Sequence, residues 1–191
     1  MDSCIFKWNK KKKIIFLTIL SSTILSSLIL IDQSFIDKAV NDNPYTDHTD
    51  NQLYINRAKT ILEGKLLYRD VDTQTPPLIN YLLVPPVYFG GSPIAFEIYF
   101  SFFVIITVIC VYYFLSPIDE KKAFLSAMAF LFIPSTLFVP TFARQDESIV
   151  VFFFILPLLL LSYKGSKYAY TFFSTCLLYT SDAADEGLGV D

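Results

Sequence analysis

The chain has 191 residues, of which 53% are hydrophobic and 17% aromatic, and its mean hydropathy is +0.48. These values exclude an ordinary soluble domain. The formal charge of −3 hides an asymmetry, since Lys7, Lys10, Lys11, Lys12 and Lys13 precede the first apolar run and the segment after it is mostly acidic. A basic cluster can mark nucleic-acid binding, but this one abuts an apolar run of membrane-spanning length, which disfavours that reading.

The apolar residues gather into separate runs, each about as long as is needed to cross ~30 Å of hydrocarbon at ~1.5 Å per residue. The expected fold class is therefore all-α, a polytopic transmembrane helical protein. Residues 14–31 form the first expected span. A cleaved signal peptide is the rival, but Leu28-Ile29-Leu30-Ile31-Asp32 offers no small-residue cleavage site. By the positive-inside rule residues 1–13 are cytoplasmic and the acidic segment lies outside.

Residues 32–93 read as an extracytoplasmic loop with two interfacial helices. In the first, about 50–63, Asp50 is placed to cap the amide groups of the opening turn. Leu53, Ala58, Ile61 and Leu62 make its apolar face, and Gly64 stops it. Pro76-Pro77 then opens a short apolar helix over 77–84. Pro85-Pro86 and Gly90-Gly91 are expected to break the chain before a second span at 94–115.

Asp119, Glu120, Lys121 and Lys122 fall in a cytoplasmic turn, 116–122. A third span, 123–139, carries a kink at Pro134. An outer loop, 140–147, holds Arg144, Asp146 and Glu147, and a fourth span, 148–163, contains Pro157. Lys164 and Lys167 again fall inside. Phe152, Phe153 and Phe154 read as packing or lipid-facing residues. Residues 168–175 look like the start of a further span, and 176–191 resemble the translation of a sequencing adapter, with a genuine polar C-terminus as the alternative. On the first reading the chain is the N-terminal part of a longer membrane protein.

Cys4, Cys110 and Cys176 give no disulfide framework and no metal-site spacing. His48 is the single histidine and reads as a surface residue. No cofactor is fixed by the sequence, and a divalent metal is left open.

Three features of the outer loop recur together. An acidic residue stands four before an aromatic, Asp50 and Tyr54. A helix ends A-x-x-I-L-x-G-x-x-x-Y, from Ala58 to Tyr68. An acidic stretch, Asp70 and Asp72, then runs into Pro76-Pro77-Leu78. This combination resembles the GT-C superfamily of integral-membrane glycosyltransferases, near the dolichyl-phosphate-mannose protein mannosyltransferases, the aminoarabinose transferases and the RgtA/B/C/D-like group. The resemblance implies transfer of a hexosyl or pentosyl group, with inversion, from a polyprenyl-phosphate-linked sugar. The acceptor would be a glycan, lipid or protein on the outer face of the plasma membrane.

It also implies that an outer-loop aspartate is the catalytic base, which maps to Asp50. Asn51 stands where many relatives carry a second acid, and Asp47, one helical turn earlier, is the alternative base. Arg57, Arg69 and Arg144 are the only arginines and are candidates for the donor phosphate. Asp70, Asp72, Asp146 and Glu147 complete the substrate-binding candidates. Asp70 and Asp72 also fit solvated turn residues, and Asp146 and Glu147 also fit a helix cap. The rival class is a transporter or flippase of lipid-linked glycans. Transporters place ionisable groups within their spans, whereas the expected spans here hold only Glu97, near the outer end of the second. A scaffold without activity is a third reading.

Overall fold

The computed structural model describes residues 8–36, 50–70 and 75–164. The calls on Asp47, His48, Asp72, Cys4, Cys176 and the segments 168–175 and 176–191 lie outside them.

Helix α1, Lys10–Ile31, begins four residues before the expected run, because lysine is a good helix former and Asn9 caps the start. The Asn9 Oδ1 accepts from the Lys12 amide at 2.9 Å. A π-helical turn, Asp32–Ile36, extends it. Helix α2 spans Asn51–Leu62, α3 Pro77–Leu82, α4 Val84–Tyr88 and α5 Pro93–Leu115. Helix α6 spans Glu120–Leu131 and α7 Pro134–Phe138. A second π-helical turn, Val139–Ala143, leads to α8, Glu147–Lys164. The described residues contain no strand.

Two helical stretches, Lys10–Phe35 and Pro93–Leu115, are long and apolar enough to cross a membrane. The pair Glu120–Leu131 and Pro134–Ala143, bent by 60°, makes a third if counted as one span. The expected kink at Pro134 is thus a break. Ile133 is extended, and Pro134 opens α7 without continuing the hydrogen-bond ladder of α6. The expected fourth span falls on α8, whose apolar stretch Glu147–Leu160 is shorter, and the helix continues through Pro157.

Helix α5 is the centre, packed by α1, α6 and α8. Its first half supplies Phe96, Phe100 and Phe103 to a cluster with Tyr54, Ala58, Ile79 and Leu83. Its second half supplies Val104, Val108 and Tyr112 to a cluster with Leu17, Leu25, Phe124 and Ala127. On α1 the buried stripe Lys13, Leu17, Ser21, Leu25, Ile29 repeats every fourth residue, one face of a helix. The Ser21 hydroxyl donates to the Leu17 carbonyl at 2.7 Å, so this small buried residue leaves no polar group unpaired.

A polar tie closes each end of the bundle. At one end Lys13 Nζ bonds Glu120 Oε1 at 2.7 Å, and the Tyr112 hydroxyl donates to the same oxygen at 3.2 Å. At the other, Gln33, Glu97, Arg144 and Asp32 bond one another. Because Lys13 opens α1 while Tyr112 lies near the end of α5, the two helices run antiparallel. The groups expected on the outer side therefore collect at one end.

Between α1 and α5 the expected elements recur with shifted limits. Gly64, at φ +74°, stops α2, and the Lys65 amide reaches back to the Thr60 carbonyl at 3.1 Å. The buried face of α2 is Asn51, Tyr54 and Ala58, whereas Leu53 and Leu62 are exposed. The expected helix at 77–84 ends at Leu82, and Pro85-Pro86 does not break the chain there. The two prolines sit in the first turn of α4, where a missing amide costs nothing. Gly90 and Gly91, both at positive φ, then end α4.

Candidate functional site

Asp50 occupies the N-cap position of α2, yet its carboxylate makes no capping bond. The capping expectation fails because the side chain turns toward the loop at 144–146. There Gln145 Nε2 donates to Asp50 Oδ2 at 3.5 Å, across 95 positions of sequence. One turn along α2, the Tyr54 hydroxyl donates to Asp146 Oδ1 at 3.1 Å. The helix and the 144–146 loop are thus joined by two neighbouring contacts.

Tyr54 is held by its ring, which lies 5.9 Å from Phe96 and 6.2 Å from Phe100. Such aromatic contacts contribute about 0.5–1.5 kcal/mol each beyond area burial. Burial above all, then the negative charges of Asp146 and Asp50, raises the Tyr54 phenol well above its ordinary value. The phenol therefore stays protonated and acts as a donor. Asp50, Asp146 and Glu147 all bear on it electrostatically, so these three candidate acids converge. Asn51, beside Asp50, is buried with its Oδ1 unpartnered.

The three arginines part company. Arg69 is exposed and grips its neighbour Asp70 through two bonds of 2.8 Å. Asp70 in turn accepts from the Leu66 amide at 2.8 Å, closing a turn that contains Tyr68 at φ 65°. The Arg69 guanidinium first, and that amide second, hold the Asp70 carboxyl below its usual range. Arg144 is buried against Glu97 and Asp32. Arg57 is half-buried on α2, one turn past Tyr54, and has no ion pair among the described residues.

Arg144 also sets the shape of the 144–146 loop. Its backbone is left-handed, φ 53° and ψ 43°, a conformation that costs a residue bearing a Cβ about 1–2 kcal/mol. Its ion pairs with Glu97 and Asp32 offset that strain, and the two residues that follow it are those that reach Asp50 and Tyr54. Arg144 is thus a positioning residue of the loop.

Glu147 and Ser148 stand at one edge of a cavity of about 340 Å³ between α5, the α6–α7 bend and α8. Its walls are mainly apolar, with Val104, Phe130, Ile133 and Val151 among them. No group of three or more acids, cysteines or histidines among the described residues is placed to hold a metal ion.

The sequence singles out Tyr54 only as a spacing mark and Gln145 only as one of the run Arg144 to Glu147, either a helix cap or part of a site, and it assigns Asp32 no role. The available signal was Glu97, an ionisable group inside an apolar run, which needs a counter-ion. Compared with models of protein families, with curated proteins and with solved structures, the chain gave no match in any of the three.

Proposed function

We propose that the chain is part of a polytopic membrane glycosyltransferase of GT-C type, N-terminus cytoplasmic, working on the outer face of the plasma membrane. The observation that carries this reading is the meeting of Asp50 with Gln145 and of Tyr54 with Asp146, which assembles a carboxylate-rich site at one end of the helices. The sequence resemblance points to Asp50 as base, and its carboxylate is not spent on capping α2. Asp47 remains the alternative base.

In the proposed reaction the Asp50 carboxylate takes the proton of an acceptor hydroxyl as that oxygen attacks the anomeric carbon. The bond from that carbon to the phosphate oxygen breaks, and polyprenyl phosphate leaves with the bonding pair. Arg57 is the arginine best placed to meet the phosphate, because Arg69 and Arg144 already face carboxylates. The apolar cavity beside Glu147 suits an isoprenoid chain entering from the lipid side.

Tyr54 and Gln145 position the two sides of the site. The rival, a transporter or flippase of lipid-linked glycans, would carry its ionisable groups near the midplane. The buried charges here sit at the end of the bundle instead.

The test is sugar transfer from polyprenyl-phosphate donors by membranes bearing the chain, with Asp50→Asn beside it. General base catalysis contributes about 10²–10⁴-fold, so a loss of that order is expected without loss of folded protein. Full activity of the variant removes Asp50 as base. Absence of transfer with every donor favours the rival.

A further inference from the structure

At the end of the bundle tied by Lys13 and Glu120, the opening turn of α1 carries Lys10, Lys11 and Lys12 side by side. All three are exposed, and none has an ion pair among the described residues. The acids of α6 are engaged elsewhere. Glu120 is bonded by Lys13 and Tyr112, and Lys10 bears on it electrostatically. Asp119 accepts from the Lys121 and Lys122 amides and faces Lys122 Nζ at 3.7 Å.

Lys12 also heads an apolar groove of about 350 Å³, whose other walls are Trp8, Ile15, Phe16 and Ile19. Helical period explains its line. Lys12, Ile15, Phe16 and Ile19 stand at i, i+3, i+4 and i+7, one stripe of α1, and the Trp8 ring lies 5.6 Å from that of Phe16. Ile15 is 56% and Ile19 61% exposed, whereas the stripe of Leu17, Ser21 and Leu25 is buried in the bundle. From Lys12 to Ile19 the groove runs about 10 Å along the helix, roughly a third of the ~30 Å hydrocarbon layer.

A ligand that uses both parts is narrowly defined. A nucleic acid or a free anion would meet the lysines and leave the groove empty. A neutral lipid would fill the groove but leave the lysines without a counter-charge, and a zwitterionic phospholipid brings a cation of its own. A phospholipid with a net negative headgroup satisfies both, with its phosphate beside the ammonium groups and an acyl chain on Ile15, Phe16 and Ile19. Tryptophan, an apolar ring with one N–H donor, belongs at the level between head and chain.

We propose that the opening turn of α1 and the groove beside it bind one anionic phospholipid of the leaflet that meets this end of the bundle. The headgroup phosphate sits on Lys11 and Lys12, and one acyl chain lies along the groove. Lys13 takes no part, since it is turned inward to Glu120. The proposal rests on α1 crossing a membrane and is independent of glycosyl transfer.

Trp8 is the single tryptophan of the chain and lines the groove, so its fluorescence reads occupancy without a label. The full chain is placed in phosphatidylcholine nanodiscs that contain a small fraction of brominated lipid, either phosphatidylglycerol or phosphatidylcholine with the same chains. At equal mole fraction the brominated phosphatidylglycerol should quench Trp8 more strongly. The excess should shrink as salt is raised, because exposed charges are screened over about 10 Å at ~0.1 M ionic strength. Lys12→Gln should lower the preference about fivefold. Lys122→Gln removes the same charge at the same end but away from the groove, and should leave the preference unchanged. Glutamine is nearly as good a helix former as lysine, and far-UV circular dichroism checks that both variants keep the native helix content. Equal quenching of the native chain by the two brominated lipids overturns the proposal, whatever the variants do. A preference that survives Lys12→Gln, or falls equally in both variants, overturns it by assigning the effect to the overall charge of this end. Quenching by neither lipid overturns it as well, by showing that protein, residues 1–7 or a second copy, covers the groove.

Discussion

Tyr54→Phe isolates one oxygen atom at the junction of α2 and the 144–146 loop. The ring keeps its packing on Phe96 and Phe100, and only the donor to Asp146 Oδ1 is lost. A hydrogen bond to a charged acceptor contributes about 1.5–3 kcal/mol, and the removed donor leaves no buried orphan of its own. Asp146 is half-buried, so water replaces part of the lost bond, and the expected cost is about 1–2 kcal/mol. Tyr54→Ala also empties the space of a ring that is 4% exposed, with an expected cost of about 3–5 kcal/mol.

The same phenol gives a pH test. In the unfolded chain tyrosine ionises near ~10, whereas burial first and the Asp146 charge second raise the folded value. The folded state therefore holds its proton after the unfolded state has released it. The stability tied to this group is complete below about pH 10 and is lost as pH rises above it, by at most about 1.4 kcal/mol per pH unit. Tyr54→Phe has no such loss, so the gap between native and variant should shrink and then reverse in alkaline buffer. Circular-dichroism melts in nanodiscs from neutral to alkaline pH read both effects. Equal costs for the Phe and Ala variants, or a gap that stays constant with pH, would refute the account of Tyr54 as a buried, protonated donor.

At the opposite end of the bundle the Lys13–Glu120 tie should respond unequally to its two deletions. The Lys13 side chain is 3% exposed and that of Glu120 38%, so Glu120→Gln leaves a buried ammonium short of its partner. The expected cost is about 1–2 kcal/mol after allowance for the exposed acid and for lysine reaching toward solvent. Lys13→Met keeps an apolar stem and leaves Glu120 with Tyr112 and water, for under about 1 kcal/mol. Thermal melts of the two variants give the order. Gly64→Ala meets no atom within 4 Å but must hold φ +74°, so it should cost about 1 kcal/mol through backbone strain alone, measured the same way. Arg57→Gln should raise KM for a polyprenyl-phosphate donor while leaving Tm unchanged, and an unchanged KM would remove Arg57 from the phosphate site.

What the sequence made legible is what local chemistry controls. The limits of α5 follow from an apolar run bounded by Pro93 and Ser116-Pro117. The end of α2 follows from Gly64, and the opening of α3 from Pro77. The misreadings come from choices that local chemistry leaves open. A capping aspartate and an aspartate turned toward a distant loop look alike until Gln145 is known to be there. A Pro-Pro pair can end one helix or sit in the first turn of another, and for Pro85-Pro86 the outcome depends on how α4 packs against α2 and α5. Leu53 and Leu62 fit an apolar face by period, but the buried contact on α2 belongs to Tyr54 and Ala58.

The arginines show how far charge alone can be taken. All three had the same claim on a phosphate in the sequence, since each was expected outside and none had a visible partner. In the structure they differ by what already holds them: Arg69 by the adjacent Asp70, Arg144 by two buried carboxyl groups, Arg57 by no ion pair among the described residues. A guanidinium locked into a closed cluster cannot take a substrate phosphate without leaving Asp32 and Glu97 unpaired, a cost of about 3–5 kcal/mol. An arginine without such a partner carries no comparable penalty. The difference separates three equivalent candidates: Arg144 belongs to the scaffold, Arg69 to its turn, and Arg57 is the one proposed for the phosphate.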